Sequence, residues 1–339
     1  MTDARSELTG RILGLVVSQA VYVAAKLGIP DLLAGGPRSA TELAVDAGAD
    51  PDALYRLLRL LAGHGIFVEQ ADGRFANSAL SELLREVPGS LRALAVEVGE
   101  AVYPAFVETR RMVETGQPAF EVAFGRVFEE HLVRDPEARR RFTRMVAARK
   151  EALAEFFAEQ VWQGDETVVD VGGGDGALLE GLLARRAGLG GIVFDLPQVA
   201  AKATERIAAA GLAGRCQVVG GSFFAGVPAG GDVYVLSHVL RAWDDGHARE
   251  ILGVVRRAIG DQGRLLLVEE VVAPPNQPGG KLVDVLMLAV GGRGRTEPEW
   301  RVLLADGGFA LTGIRPAPNA SILEALPRPP QPPQPGHAE

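Results

Sequence analysis

The chain is poor in cysteine, in surplus positive charge and in uninterrupted apolar runs, and each shortage closes off a class of protein. Its one cysteine, Cys216, cannot form an internal disulfide and has no companions at metal-ligand spacing. It reads as a small core residue in a reducing cytoplasm. A net charge of −8 over 339 residues leaves no basic surface for nucleic acid or an anionic membrane as the main partner. Residues 1–7 mix both charges and lack the basic start and cleavage site of a signal peptide. The apolar segment 12–29 is interrupted by Gln19 and Lys26 and reads as a helix seeking a protein partner, not a membrane span. Length and composition agree with a soluble enzyme of about two domains, and 47% hydrophobic residues suffice for sizeable cores.

The informative stretch is Val168-Val169-Asp170-Val171-Gly172-Gly173-Gly174-Asp175-Gly176, where a β-branched run ends in an acid and opens into a glycine-rich loop. The run suits a strand buried on both faces, glycine lets the backbone approach a ligand, and residues 177–183 read as the following helix. The glycines fall at 172, 174 and 176, not at the G-x-G-x-x-G spacing of dinucleotide binders, whose helix N-terminus receives a pyrophosphate. Carboxylates at Asp170 and Asp175 would repel that diphosphate. S-adenosylmethionine (SAM) carries no phosphate, and its ammonium and sulfonium tolerate nearby acids. The next strand, Ile192-Val193-Phe194-Asp195, ends in an acid placed to hold a ribose diol. A glycine-rich turn alone can be merely structural; strand, loop, helix, strand and acid together point to SAM.

Residues 1–100 read as mostly helical with a winged-helix pattern inside them. Ser39 caps a helix over 40–47, and Asp50-Pro51 starts another carrying Leu54, Leu57, Leu58 and Leu61 on one face. Gly65 stops it, and residues 66–69 and 74–76 flank Ala71-Asp72-Gly73 as a small β-wing. Such a unit binds DNA, here through Arg56, Arg59 and His64, or dimerises; the acidic chain favours dimerisation. Residues 101–160 stay helical, through Phe124-Gly125-Arg126-Val127-Phe128 to Leu132 and a basic helix over 136–150 whose Arg139-Arg140-Arg141 run reads as a solvated face. Tyr103, Phe106, Phe120, Phe124 and Phe128 either wall an aromatic-acceptor pocket or pack a helical core. In 161–326 strands and helices alternate, with 167–171, 191–195, 216–219, 232–236 and 264–269 as parallel strands of a doubly wound α/β sheet. A ligand belongs outside their carboxyl ends. The proline-rich residues 327–339 read as a disordered tail.

Asp170-Val171-Gly172-Gly173-Gly174-Asp175-Gly176, Phe194-Asp195-Leu196-Pro197, Gly221-Ser222-Phe223-Phe224, Leu236-Ser237-His238-Val239-Leu240-Arg241-Ala242-Trp243-Asp244-Asp245 and Gly291-Gly292-Arg293-Gly294-Arg295-Thr296 occur in that order. The chain thereby resembles, over nearly its whole length, the caffeic-acid-type, class II SAM-dependent O-methyltransferases, including the bacterial enzymes that tailor aromatic polyketides and phenazines. The resemblance implies a Rossmann-like methyltransferase sheet, an N-terminal winged-helix dimerisation domain and a homodimer acting on a small aromatic substrate. It implies that Gly172 lies against the methionine part of SAM, that Asp195 binds the ribose, and that Leu196, Ser222 and Phe223 flank the adenosine. Ser222 stands where many relatives have aspartate, Ser237 where lysine is common, and Trp243 where an aromatic packs by the adenine. Met287, on a presumed helix over 283–290, is implied to line the acceptor pocket, and Phe128, from the aromatic run, is the other candidate for it.

The catalytic positions depart from the family. Its usual histidine, which removes the acceptor's proton, is replaced by Arg241, and the aspartate after it by Ala242. Arginine stays protonated and cannot be a general base. Of the two glutamates that flank the histidine, one is matched by Glu269 and the other is replaced by Gly294. Arg241 can clamp an acceptor that arrives anionic, stand beside a nitrogen nucleophile that needs no deprotonation, or pair with Glu269 or another acid as a structural charge. His238 is the only nearby substitute base. The expected activity is SAM-dependent methylation of oxygen, or of a heteroaromatic nitrogen. The alternatives are a reaction that uses SAM without transferring its methyl, and a SAM-sensing or DNA-binding regulator.

Overall fold

The computed structural model describes residues 3–87, 89–159, 162–318 and 320–329, so residues 330–339 of the expected tail lie outside the described residues. The chain forms two compact units, 1–148 and 149–339.

The first unit is mostly helical. Ser39 closes a capping box with Glu42 and starts the helix Ala40–Ala47. Asp50 accepts the Ala53 N–H ahead of Pro51 and starts Pro51–Gly63, which buries Leu54, Leu58 and Leu61. Strands β1 (Arg38–Ser39), β2 (Phe67–Glu69) and β3 (Arg74–Asn77) form a small antiparallel sheet in the order β1-β3-β2. Phe67 and Phe75 are buried with Leu43 and Leu58, so the wing is anchored in the same core as the helices. The helix Ala4–Lys26 buries Ala20, Ala24 and Ala25 and leaves Leu8, Ile12, Leu13, Leu15 and Val16 exposed.

Two expectations in this unit need correction. The stretch from Phe124 to Leu132 is not one helix: Ala119–Phe124 ends at Gly125, which takes φ +66°, and a new helix runs Phe128–Arg134. A glycine reaches that left-handed conformation without strain and there terminates the helix. Nor is the Arg139-Arg140-Arg141 run wholly solvated. Arg139 and Arg140 are exposed, but Arg141 is largely buried and pairs with Glu97, Glu100 and Glu137 at 3.3, 3.0 and 3.5 Å.

The second unit is a seven-stranded sheet. Strands β4 (Thr167–Val171), β5 (Gly190–Asp195), β6 (Cys216–Gly220), β7 (Val233–Ser237) and β8 (Arg264–Glu269) are parallel. The two-residue strands β9 (Val271–Val272) and β10 (Arg295–Thr296) pair with each other. An antiparallel hairpin, β11 (Phe309–Ala317) and β12 (Ala320–Pro327), joins the edge beside β8, giving the order β11-β12-β8-β7-β4-β5-β6. That hairpin is absent from the sequence reading. Alternation along the strands splits the core between the two sheet faces: Val168, Val233 and Leu266 on one, Val169, Tyr234 and Leu267 on the other. Cys216 is buried in the first of these layers, and burial pushes its thiol up to about 11, as suits an unreactive core residue. The strand order reverses at β4, so the crevice outside the carboxyl ends of β4 and β7 is the place this topology offers a ligand.

Candidate functional site

The loop after β4 opens into that crevice. Gly172, Gly174 and Gly176 take φ of +74°, +66° and +81°, conformations that L side chains rarely adopt. At Gly172 space adds a second constraint, since a Cβ there would lie 2.8 Å from Val239 Cγ2. The Gly172 and Gly173 N–H groups donate to the Phe194 carbonyl at 2.8 and 3.1 Å, tying the loop to the end of β5. Asp195 completes the frame: one carboxylate oxygen accepts the Gly174 N–H at 2.8 Å, the other the Leu196 N–H at 2.7 Å. Leu196 is exposed at the start of the helix Pro197–Ala209.

The two acids of the loop have separate environments. Asp175 is not a free charge beside a ligand: it pairs with Arg206 at 3.0 Å, and Arg206 also holds Glu180 at 2.6 Å. Asp170 is fully buried, and neither of its carboxylate oxygens has a hydrogen-bond partner among the described residues. Burial raises its carboxyl to about 6, against the opposing pull of Lys150. Lys150 was not singled out in the sequence. It sits on the helix Pro136–Ala158 and donates to the Gly173 carbonyl at 2.6 Å. Only its position in a helix before the glycine loop signalled it, and such positions are numerous.

Below the loop, Phe223 and Phe224 meet Trp243 edge-on at 6.1 and 5.0 Å. The structure therefore brings together Phe223 and Trp243, as expected of residues at one ligand. Ser222 turns its hydroxyl to the Phe224 N–H at 3.3 Å. Ser237, nearly buried at the end of β7, contacts His238 Nδ1 at 3.1 Å. His238 itself takes φ +59°, uncommon for a residue with a Cβ, and its N–H donates to the Val268 carbonyl at 2.9 Å.

Arg241 follows on a short turn, Leu240–Ala242. Its guanidinium pairs with Glu270, with both side chains about one seventh exposed. Glu269 meets Arg241 differently, one oxygen accepting its backbone N–H at 3.3 Å while the other is buried without a partner among the described residues. Burial pushes the Glu269 carboxyl up to about 7 although the nearby guanidinium favours its ionised form. The loop before β10 packs on the same turn: the Arg293 N–H donates to the Arg241 carbonyl at 2.8 Å, and a Cβ on Gly292 would lie 2.4 Å from that oxygen. Arg295, 1% exposed, bonds the carbonyls of Leu240 and Trp243 at 3.0 and 2.8 Å and Asp245 at 2.9 Å. It is the buried clamp of this turn.

Met287 lies half-buried on the helix Lys281–Val290. Phe128 belongs to the first unit, edge-on to Phe120 at 5.2 Å and Phe142 at 5.3 Å, in a cluster that also holds Phe124 and His131. Helical core packing accounts for Phe120, which is 2% exposed.

The second unit fits SAM on three observations. The loop backbone is cleared of side chains by glycines in left-handed conformations. An acid is fixed at the end of β5. The unpartnered buried carboxylate of Asp170 lies where a cationic ligand would favour its ionised form. Comparison with known proteins agrees. Residues 106–310 match the O-methyltransferase domain, and residues 10–86 match the O-methyltransferase dimerisation domain. The chain is 42% identical over 327 residues to the phenazine O-methyltransferase PhzM of Lysobacter antibioticus, covering 95% of this chain and 96% of that protein. It is 35% identical over 299 residues to the phenazine-1-carboxylate N-methyltransferase of Pseudomonas aeruginosa, with 88% and 89% covered. Among solved structures, the O-methyltransferase NcsB1 from neocarzinostatin biosynthesis, in complex with SAM and 2-hydroxy-5-methyl naphthoic acid, has TM-score 0.79 at 37% identity, over 92% of this chain and 96% of that one.

Proposed function

We propose, from the premise that this chain belongs to the O-methyltransferase family and is a SAM-dependent methyltransferase, that it methylates an acceptor whose nucleophile needs no protein base. Small aromatic natural-product precursors are the acceptor class, as the names of its relatives suggest. Bound SAM supplies an electrophilic methyl on a sulfonium. Gly172 leaves room for the methionine part, Asp195 holds the ribose hydroxyls, and Leu196, Ser222, Phe223, Ser237 and Trp243 form the surroundings of the adenosine. Met287 is assigned to the acceptor pocket.

The observation that carries the reading is the pairing of Arg241 with Glu270 at the position of the family's base. A guanidinium held by a carboxylate neither takes a proton nor offers a free charge. Rate enhancement then rests on alignment of nucleophile and methyl, a contribution that reaches about 7 to 11 kcal/mol in well-oriented reactions. Oxygen nucleophiles already ionised in water and aromatic nitrogen lone pairs both meet this requirement. Glu269, buried below the turn, positions Arg241 through its backbone.

The partner is a second copy of this chain, engaged through the first unit. The exposed apolar side chains of the helix Ala4–Lys26 support this, because five large ones lie between Leu8 and Val16 on a helix whose buried residues are alanines. That helix is also long and apolar enough to cross a membrane by length and composition, but residues 10–86 match a dimerisation domain. We place the enzyme in the cytoplasm.

Methyl-labelled SAM incubated with the protein and a panel of hydroxylated and aza-aromatic acceptors tests the reading. Label moving to the acceptor, with S-adenosylhomocysteine formed in equal amount, is the expected result. Label that stays in SAM while an acceptor is consumed would overturn it.

A further inference from the structure

The charges gathered around Arg241 and the Gly292-Arg293-Gly294 loop specify more than the lack of a base. The family glutamate expected at position 294 is absent, and the structure shows what stands in its place. The Gly294 N–H donates to Asp284 Oδ1 at 2.9 Å, and a Cβ on Gly294 would lie 2.7 Å from Asp284 Cβ and 2.8 Å from Oδ1. No side chain fits at 294 while Asp284 occupies that space. A carboxylate is thus supplied after all, from the helix Lys281–Val290 one turn before Met287, through a different backbone route.

The charge count follows from the pairs. Arg241 is matched by Glu270. Arg295 is buried and matched by Asp245, and Arg293 is held by Asp245 and Glu299, both at 2.9 Å. Asp284 makes no ion pair among the described residues, and its second oxygen is bonded to nothing among them. Among the described residues the neighbourhood of Arg241 therefore holds no unmatched cation and two carboxyl groups outside any ion pair, the buried Glu269 and the half-buried Asp284. A carboxylate only accepts hydrogen bonds, so it recognises an N–H or O–H on a ligand and repels an anion.

We infer that Asp284 is a specificity-determining residue that selects uncharged aromatic acceptors presenting an N–H or O–H donor, so that of the two nucleophiles needing no protein base the site favours the aromatic nitrogen over the ionised oxygen, and that it disfavours acceptors bearing a ring carboxylate. This rests on the reading of the site as an acceptor site for methyl transfer. It also gives the surplus carboxylate a part in the reaction. When an uncharged aromatic nitrogen attacks, the nitrogen–methyl bond forms as the sulfur–methyl bond breaks, and the bonding pair leaves on sulfur as a neutral thioether. The positive charge passes from sulfur to the acceptor with no proton released, and Asp284 and Glu270 stabilise it there.

The test is binding to the protein loaded with S-adenosylhomocysteine, by calorimetry, using amino- or hydroxy-phenazines with and without a ring carboxylate. The wild type is expected to bind the uncharged member at least about tenfold more tightly, the scale of one hydrogen bond to a charged group. Asp284→Asn keeps an oxygen for the Gly294 N–H and should lose most of that preference, with S-adenosylhomocysteine affinity unchanged. Glu270→Gln frees the guanidinium and should turn the preference toward the carboxylated member. Tighter binding of the carboxylated phenazine by the wild type, or an unaltered ratio in Asp284→Asn, would overturn the inference. Methyl transfer is scored separately: charge selection without transfer would leave the inference standing and sink the methyl-transfer reading.

Discussion

Replacing Glu269 with glutamine removes a titrating proton from the buried end of β8 while keeping an oxygen that can accept the Arg241 N–H. In the folded chain burial raises this carboxyl from 4.5 to about 7. The folded state thus holds the proton more tightly than the unfolded state. The resulting stabilisation is fully present below pH 4.5 and is lost as pH rises through about 7. At about 1.4 kcal/mol per pKa unit, the interval from 4.5 to about 7 corresponds to roughly 3 kcal/mol, and no solvent discount applies to a side chain 1% exposed. All three tryptophans, Trp162, Trp243 and Trp300, lie in the second unit, so their fluorescence during urea unfolding reports that unit alone. Asp170 also titrates upward, to about 6, and the readout is therefore the difference between wild type and Glu269→Gln at each pH. The buried amide has its own constant cost, which shifts the difference but not its slope. From pH 4.5 to pH 8 the variant should gain about 3 kcal/mol on the wild type. Parallel curves, or a wild type that gains on the variant as pH rises, would refute the assignment of Glu269 as a buried, proton-retaining acid.

Gly172→Ala should weaken S-adenosylhomocysteine binding by at least about tenfold and lower the stability of the second unit by about 2 kcal/mol, because the alanine must hold a left-handed conformation and displace Val239. Calorimetry and urea unfolding check both figures, and an alanine variant with wild-type affinity would show that the loop backbone is not bound as described. Ile12→Glu places a charge on the exposed apolar face of the helix Ala4–Lys26 and should convert dimer to monomer in sedimentation, with the unfolding of the second unit unmoved. A wild type already monomeric at working concentration contradicts the partner assignment.

Much of the second unit was legible in the sequence because its strands are buried on both faces. A β-branched or leucine run flanked by glycine and acid has few other readings, and β4 and β8 fall on their expected bounds while β5, β6 and β7 differ by one residue. The hairpin β11–β12 escaped because most of it is half-buried and it mixes Thr312, Arg315 and Pro316 into the strand, which blurs any period of two. Gly125 is a helix stop that the apolar residues on either side of it mask. In the site, the glycine loop and the acid at the end of β5 follow from local chemistry, so both features are legible in the chain alone.

Local sequence determined where a left-handed turn, a buried strand and a strand-end acid had to stand, since each depends on neighbours within a few residues. It also determined that residue 241 is no base, because arginine holds its proton in any fold. The tertiary structure decided which charges meet. Arg241 pairs with Glu270 and not with the family-matched Glu269, because consecutive side chains at the end of a strand point to opposite sides. Asp175 is taken by Arg206, Lys150 reaches the Gly173 carbonyl, and Asp284 fills the space over Gly294, contacts between residues 31, 23 and 10 apart. Such pairings arise from the packing of separate helices against strand ends, and a carboxylate is identical in sequence whether it lies free, paired or buried without a partner.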